Sequence, residues 1–208
     1  MRTSRLEAFS DGVLAIIITI MVLELRAPVA EGRPAEFSDL WTSESHLGAI
    51  FFSYVLSFLY VAIYWNNHHH LMQTLDRVTG GILWANMGLL FCLSLFPFST
   101  AWLGENVGDA APAAAYGLVL LAAGVAYTVL VRVMIRSQGR DSLTQRAVGR
   151  DTKGIVSVVA YALAIPIAFV SPWISYAIYV AVAVLWVVPD RRIERVLESE
   201  GRLAGENP

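Results

Sequence analysis

The chain is 208 residues long, 56% hydrophobic and 15% charged, with a mean hydropathy of +0.57, whereas an ordinary soluble domain holds roughly 45–50% apolar and 25% charged residues. Uncharged blocks spread along the whole sequence leave no stretch for a separate soluble core, so one all-α integral membrane domain is expected. A net charge of −2 and a pI of about 6.1 exclude a basic nucleic-acid binder, and the lone Cys92 excludes an internal disulfide or a CxxC metal site.

The first apolar run, Gly12 to Leu23, has 12 uncharged residues. It rises only about 18 Å against a hydrocarbon core of ~30 Å. A first crossing over about 6–26 must therefore carry Asp11 and Glu24 toward the membrane. Glu7 and Asp11 precede the run and no clear A-x-A cleavage site follows it, which reads as a retained helix rather than a signal peptide. This helix also carries Arg5, Ser10 and Thr19, and ionisable groups at membrane depth are costly unless they face protein or water. At 100° per residue, Gly12, Ile16, Ile20 and Leu23 fall within about 40° of one line, with Thr19 about 60° from it. That line could border a permeation path; it could equally belong to a helix packed centrally in a bundle.

Beyond it, uncharged blocks run over 45–75, 78–104, 110–131 and 154–189. The first three predict one helix each, at about 46–67, 80–103 and 111–131. The fourth, 36 residues long, is too long for one crossing of about 20 residues, and Pro166 with Ser171-Pro172 predicts a tight hairpin of helices over 154–171 and 173–189. Six transmembrane helices result, forming a membrane domain over 1–189 with a charged tail over 190–208. With both termini cytoplasmic, 13 of the 15 basic residues lie on the inner side and only Arg26 and Arg33 outside, the bias expected of a multi-pass cell-membrane protein. The outer loops are acidic, which could concentrate cations or simply keep them solvated.

Within the second block, His68-His69-His70 invites a metal reading. Consecutive helical positions point 100° apart, so three such side chains cannot converge on one ion. His68 is better read as a hydrogen-bonded partner of a neighbouring helix. Ser10 and Asp11 with a distant His68 do not make a hydrolase, because no G-x-S-x-G turn or oxyanion donor pattern accompanies them. An enzyme is not expected.

The string Arg5-x-x-x-Phe9-Ser10-Asp11, followed by Gly12 to Thr19 and ending near Leu23-Glu24-Leu25, resembles the first-helix signature of the transmembrane protein 175 potassium channel family. Trp65-x-x-His68 in the second helix resembles a W-x-x-H element of that family. Asn86 and the Leu95-Phe96-Pro97-Phe98 stretch look like its third-helix asparagine and leucine-proline element. The later helices match mainly in hydropathy. One six-helix unit per chain is similar to bacterial members, while vertebrate members resemble two such units fused.

The resemblance implies a homotetramer whose four first helices surround a potassium-permeable pore in the lipid bilayer, without a cofactor. Ile16 would be its narrowest point, Ile20 and Leu23 further apolar rings, and Thr19 a selectivity layer of hydroxyls. Arg5, Phe9, Ser10, Asp11, Trp65, His68 and Asn86 would form the polar network that holds the helix. An apolar constriction can close by losing its water and conduct when slightly widened. No TVGYG-like carbonyl filter occurs in the sequence. Two other classes stay open at this point: a proton-coupled transporter using Asp11 and His68, and a structural membrane subunit that transports nothing.

Overall fold

The computed structural model describes residues 3–25, 47–139, 142–148 and 151–187. The expected tail over 190–208 and most of the first loop, including Arg26 and Arg33, lie outside the described residues. Among the described residues eight helices follow in order: α1 (Thr3–Leu23), α2 (Leu47–Gln73), α3 (Gly80–Ser94), α4 (Phe96–Glu105), α5 (Ala110–Gln138), α6 (Leu143–Val148), α7 (Thr152–Ala168) and α8 (Pro172–Val187). Four helical stretches are long and apolar enough to cross a membrane: α1, α2, α3 with α4, and α5. The apolar α7 and α8 are shorter, 17 and 16 residues, and rise about 25 Å each.

The third predicted crossing was expected as one uninterrupted helix over 80–103. Instead it breaks at Leu95. Pro97 has no N–H to give the Leu93 carbonyl, and its ring crowds the preceding turn. The chain answers with a tighter turn, Leu95 N–H donating to Cys92 O at 3.3 Å, and resumes with Ser99 N–H on Leu95 O at 3.1 Å. Gly80–Glu105 still reaches 26 residues. Two other ends move outward for reasons the charge-to-charge blocks could not register. Helix α5 runs on past 131 through Arg132 and Arg136 to a Gly139 cap with φ of 95°, and α2 runs past 67 to include all three histidines.

The expected hairpin turns at 169–171. Pro166 lies inside the last turn of α7 and does not end it, whereas Pro172 opens α8, the position where a missing N–H costs nothing and the fixed φ suits a helix start. Ser171 N–H reaching Ile167 O at 2.8 Å closes the turn.

Helix α1 packs on α2, α3 and α4, while α5 joins α3 and α4 to the α7–α8 hairpin. The core between α2, α5 and α8 is unusually rich in tyrosine. Tyr60, Tyr116 and Tyr179 are fully buried; Tyr60 donates to Tyr179 O at 2.6 Å and Tyr179 to Ala113 O at 2.9 Å. Buried hydroxyls without such partners would each cost a few kcal/mol. Gly117 makes this packing possible, since a methyl group there would collide with the Tyr179 hydroxyl.

Candidate functional site

The two faces of α1 have opposite fates. Leu6, Ser10, Leu14, Ile17 and Met21, spaced three or four apart, are buried against the rest of the protomer. Ile16, Ile20 and Leu23 are 58%, 42% and 77% exposed, and Thr19 is exposed beside them. The Thr19 hydroxyl donates to Ile16 O at 2.9 Å. Its hydrogen is thereby turned toward the backbone, and its oxygen keeps lone pairs for whatever passes the helix.

Two layers of polar contacts fix the N-terminal half of α1. In the buried layer, the Asn86 amide nitrogen on α3 donates to Ser10 Oγ at 2.9 Å, and Ser10 Oγ donates to Leu6 O at 2.9 Å. The Asn86 amide oxygen lies 2.8 Å from His68 Nε2. With the amide in this orientation, His68 must carry its proton on Nε2 and donate it. Asn86 thus bridges α1 and α2 from α3, each end of its amide matched to a buried partner. His68 Nδ1 is buried and meets no partner among the described residues.

The outer layer joins α1 directly to α2. Trp65 Nε1 donates to Asp11 Oδ1 at 3.0 Å. One turn away on both helices, His69 Nδ1 lies 2.8 Å from Glu7 Oε1, and the His69 ring stacks on Trp65 with centroids 5.9 Å apart and planes 17° from parallel. These are successive rungs of an antiparallel ladder, four residues down α1 for four residues up α2, as the 3.6-residue repeat requires.

The expected network is therefore parted in space. Ser10, His68 and Asn86 come together in the protomer interior. Asp11 meets Trp65 at the rim, and Arg5 and Phe9 point outward from the isolated protomer, Phe9 being 52% exposed. Asp11 and His68 bond to different partners, so no hydrogen-bonded path between them exists among the described residues. The three consecutive histidines diverge as helix geometry demands, His68 toward Asn86 and His69 toward Glu7.

The Glu7–His69 rung was missed. Its signal was present: Glu7 and Asp11, like Trp65 and His69, are four apart, so one contact between the pairs implies the other.

These elements can be set beside known proteins. Residues 5–97, which contain nearly all of α1, the whole of α2 and α3 and every site residue named above, match the family model described as endosomal/lysosomal potassium channel TMEM175. Over 198 residues the chain is 48% identical to a potassium channel of a Chryseobacterium strain, covering 95% of this chain and 99% of that protein. The chain belongs to the TMEM175 family. It is also 34% identical over 132 residues to a potassium channel of Streptomyces collinus, 62% of each protein. The crystal structure of a lysosomal potassium-selective TMEM175 homolog from Chamaesiphon minutus superposes with a TM-score of 0.70 at 26% identity, covering 89% of this chain and 96% of that one. TMEM175 is an ion-channel family and not an enzyme family. The TMEM175 model stops at 97, just where Pro97 breaks the third crossing.

Proposed function

We propose that this chain is a potassium-permeable channel that conducts passively, as a homotetramer, along a path lined by the first helix of each of four subunits. One observation carries the reading: Ile16, Ile20 and Leu23 stand exposed on the side of α1 opposite its buried face. A helix end held on its rear side by matched hydrogen bonds leaves its front free to face an axis. Four copies around that axis close a path that one small bundle lacks. In this reading the chain crosses six times, α3 and α4 together making the third crossing and the α7–α8 hairpin the last two, so both termini share one side of the cell membrane, and the excess of basic residues on that side supports the cytoplasmic one. Ile16 forms the narrowest ring, Ile20 and Leu23 flank it, and Thr19 presents its oxygen lone pairs between them. The buried Ser10–Asn86–His68 triad holds the helix, with Asp11–Trp65 as the outer clasp. Arg5 and Phe9 join that support across the subunit boundary.

Purified protein in liposomes should release potassium down its gradient with no second ion required. Flux that saturates with fixed coupling to protons would identify a carrier instead. Chemical cross-linking in mild detergent should give a ladder ending at four; a population of monomers and dimers alone would remove the shared axis.

Thr19→Val is expected to reduce preference for potassium over sodium while changing conductance little, because it deletes an oxygen beside the path without widening the Ile16 ring. Reversal potentials in mixed potassium and sodium solutions measure this. An unchanged preference would take Thr19 out of the selectivity layer.

A further inference from the structure

A second concave feature lies away from α1, in the cleft between α2, α5, α7 and α8. It is a small cleft, open on one side. Its walls are aromatic: Tyr60, Tyr64, Tyr127, Tyr161 and Trp186. The rings are edge-on to one another, Tyr60 with Tyr161 at 6.2 Å and 68°, Tyr64 with Tyr127 at 6.1 Å and 63°. Asp151 completes the lining at the α7 end.

The carboxylate of Asp151 caps α7, Oδ1 accepting from Gly154 N–H at 2.8 Å. The α7 dipole favours a carboxylate at this end, and that charge stands beside five aromatic rings. One cap bond also leaves the carboxylate most of its acceptor capacity. The chain itself supplies an example of the chemistry such a wall accepts. The Lys153 ammonium lies 5.8 Å from the Trp186 ring centroid while donating to Leu185 O at 3.2 Å. That carbonyl belongs to the last turn of α8, where the helix dipole favours a cation. The charge that Asp151 adds to the cleft is the opposite one.

We propose that this cleft binds an amphiphilic ammonium, with its apolar body against the tyrosines and Trp186 and its cationic head toward Asp151. Aromatic faces and a carboxylate are the two groups that recognise an alkylated ammonium, and together they select against anions and against small, strongly hydrated ions. A free amine and the headgroup of an aminolipid share this chemistry.

Gly124 also lines the cleft and supplies the control. A Cβ there would meet Val158, Tyr64 and Tyr161 at 3.5–4.0 Å, ordinary contact distances, so Gly124→Ala should fold normally while taking up space, and Gly124→Leu should fill the cleft. The test uses full-length protein in dodecyl maltoside, which contains no amine, titrated calorimetrically with benzyltrimethylammonium and with phenylmethanesulfonate as the charge-reversed control. Saturable binding of the cation alone is expected, weakened about tenfold or more in Asp151→Asn, which keeps the cap, reduced in Gly124→Ala and lost in Gly124→Leu. Potassium flux of Gly124→Ala should match the parent. Added phosphatidylethanolamine that displaces the probe would identify an aminolipid as the occupant; failure to displace it would identify a free amine. Binding that is equal for the sulfonate, or unchanged in both Asp151→Asn and Gly124→Ala, would overturn the site, and the second result would place the cation elsewhere, for instance in the pore.

Discussion

Asn86→Leu should destabilise the protein more than any other single change in the polar contacts behind α1. Leucine has the same branched arrangement of side-chain heavy atoms as asparagine and is helical by preference, so the backbone of α3 is not challenged. The loss is chemical. Asn86 satisfies Ser10 with one end of its amide and His68 with the other, and both partners are buried, Ser10 fully. Removing the bridge strands a histidine N–H and a serine oxygen in a medium without water. At about 1–3 kcal/mol for each of the two stranded groups, the cost comes to roughly 2–6 kcal/mol. Interhelical hydrogen bonds in membranes often measure less, about 0.6 kcal/mol, because the unfolded state in lipid finds substitute partners. The outcome therefore also rests on burial that leaves no room for such partners in the folded state. Fluorescence-detected size exclusion after a heat step should show a lowered midpoint and loss of the assembled species. Asp11→Asn is the informative contrast: it keeps an oxygen for Trp65 Nε1 and should be mild, whereas Asp11→Ala should lower assembly. A well-assembled Asn86→Leu protein with the parent's midpoint would mean the triad does not hold α1.

The membrane class and the helical units were legible in the sequence because charge and hydropathy are properties of blocks, and a block boundary survives errors of several residues. What escaped was local backbone chemistry. Pro97 sat in plain view, yet hydropathy gives it no weight against the apolar run around it, so the break at Leu95 went unseen. Helix α5 was cut short for the opposite reason: Arg132 and Arg136 end an uncharged block but not a helix, since arginine is a good helix former whose long stem reaches water from beyond the hydrocarbon. The site divides in the same way. The Ile16 line and the separate direction of Asp11 follow from a 100° step and needed no coordinates. Periodicity cannot tell which neighbour meets a polar side chain. That is why Ser10 and Asp11, adjacent in sequence, were placed in one network although they point to different partners, Asn86 in the interior and Trp65 at the rim. The tyrosine cleft was invisible for a stronger reason: its walls come from four helices spread over more than 120 residues, and no local pattern joins them.

Ile16→Asn is expected to produce the largest functional change. Ile16 is more than half exposed on a protomer whose other α1 face is tightly packed. In a tetramer around that face, four isoleucine side chains meet at the axis with no atom able to replace water lost by an ion. Passage through such a ring is limited by wetting, and the ion that gives up water most easily passes best, which favours potassium over sodium without any carbonyl filter. Four asparagine amides at the same level would hold water in the ring. Conductance should then rise several-fold or more, since removing ~1 kcal/mol from the barrier is already about fivefold in rate, and the preference for potassium should fall toward unity because neither ion need dehydrate. Stability should change little, because the Ile16 side chain is more than half exposed on the protomer. If α1 instead turned this face to lipid, the amides would enter hydrocarbon unpaired and destabilise the helix, while the protein that survived would conduct as before. Single-channel recording of the purified variant, paired with its thermal midpoint, separates the two cases: higher conductance at an unchanged midpoint places Ile16 at the constriction, and unchanged conductance at a lowered midpoint removes the first helix from the pore.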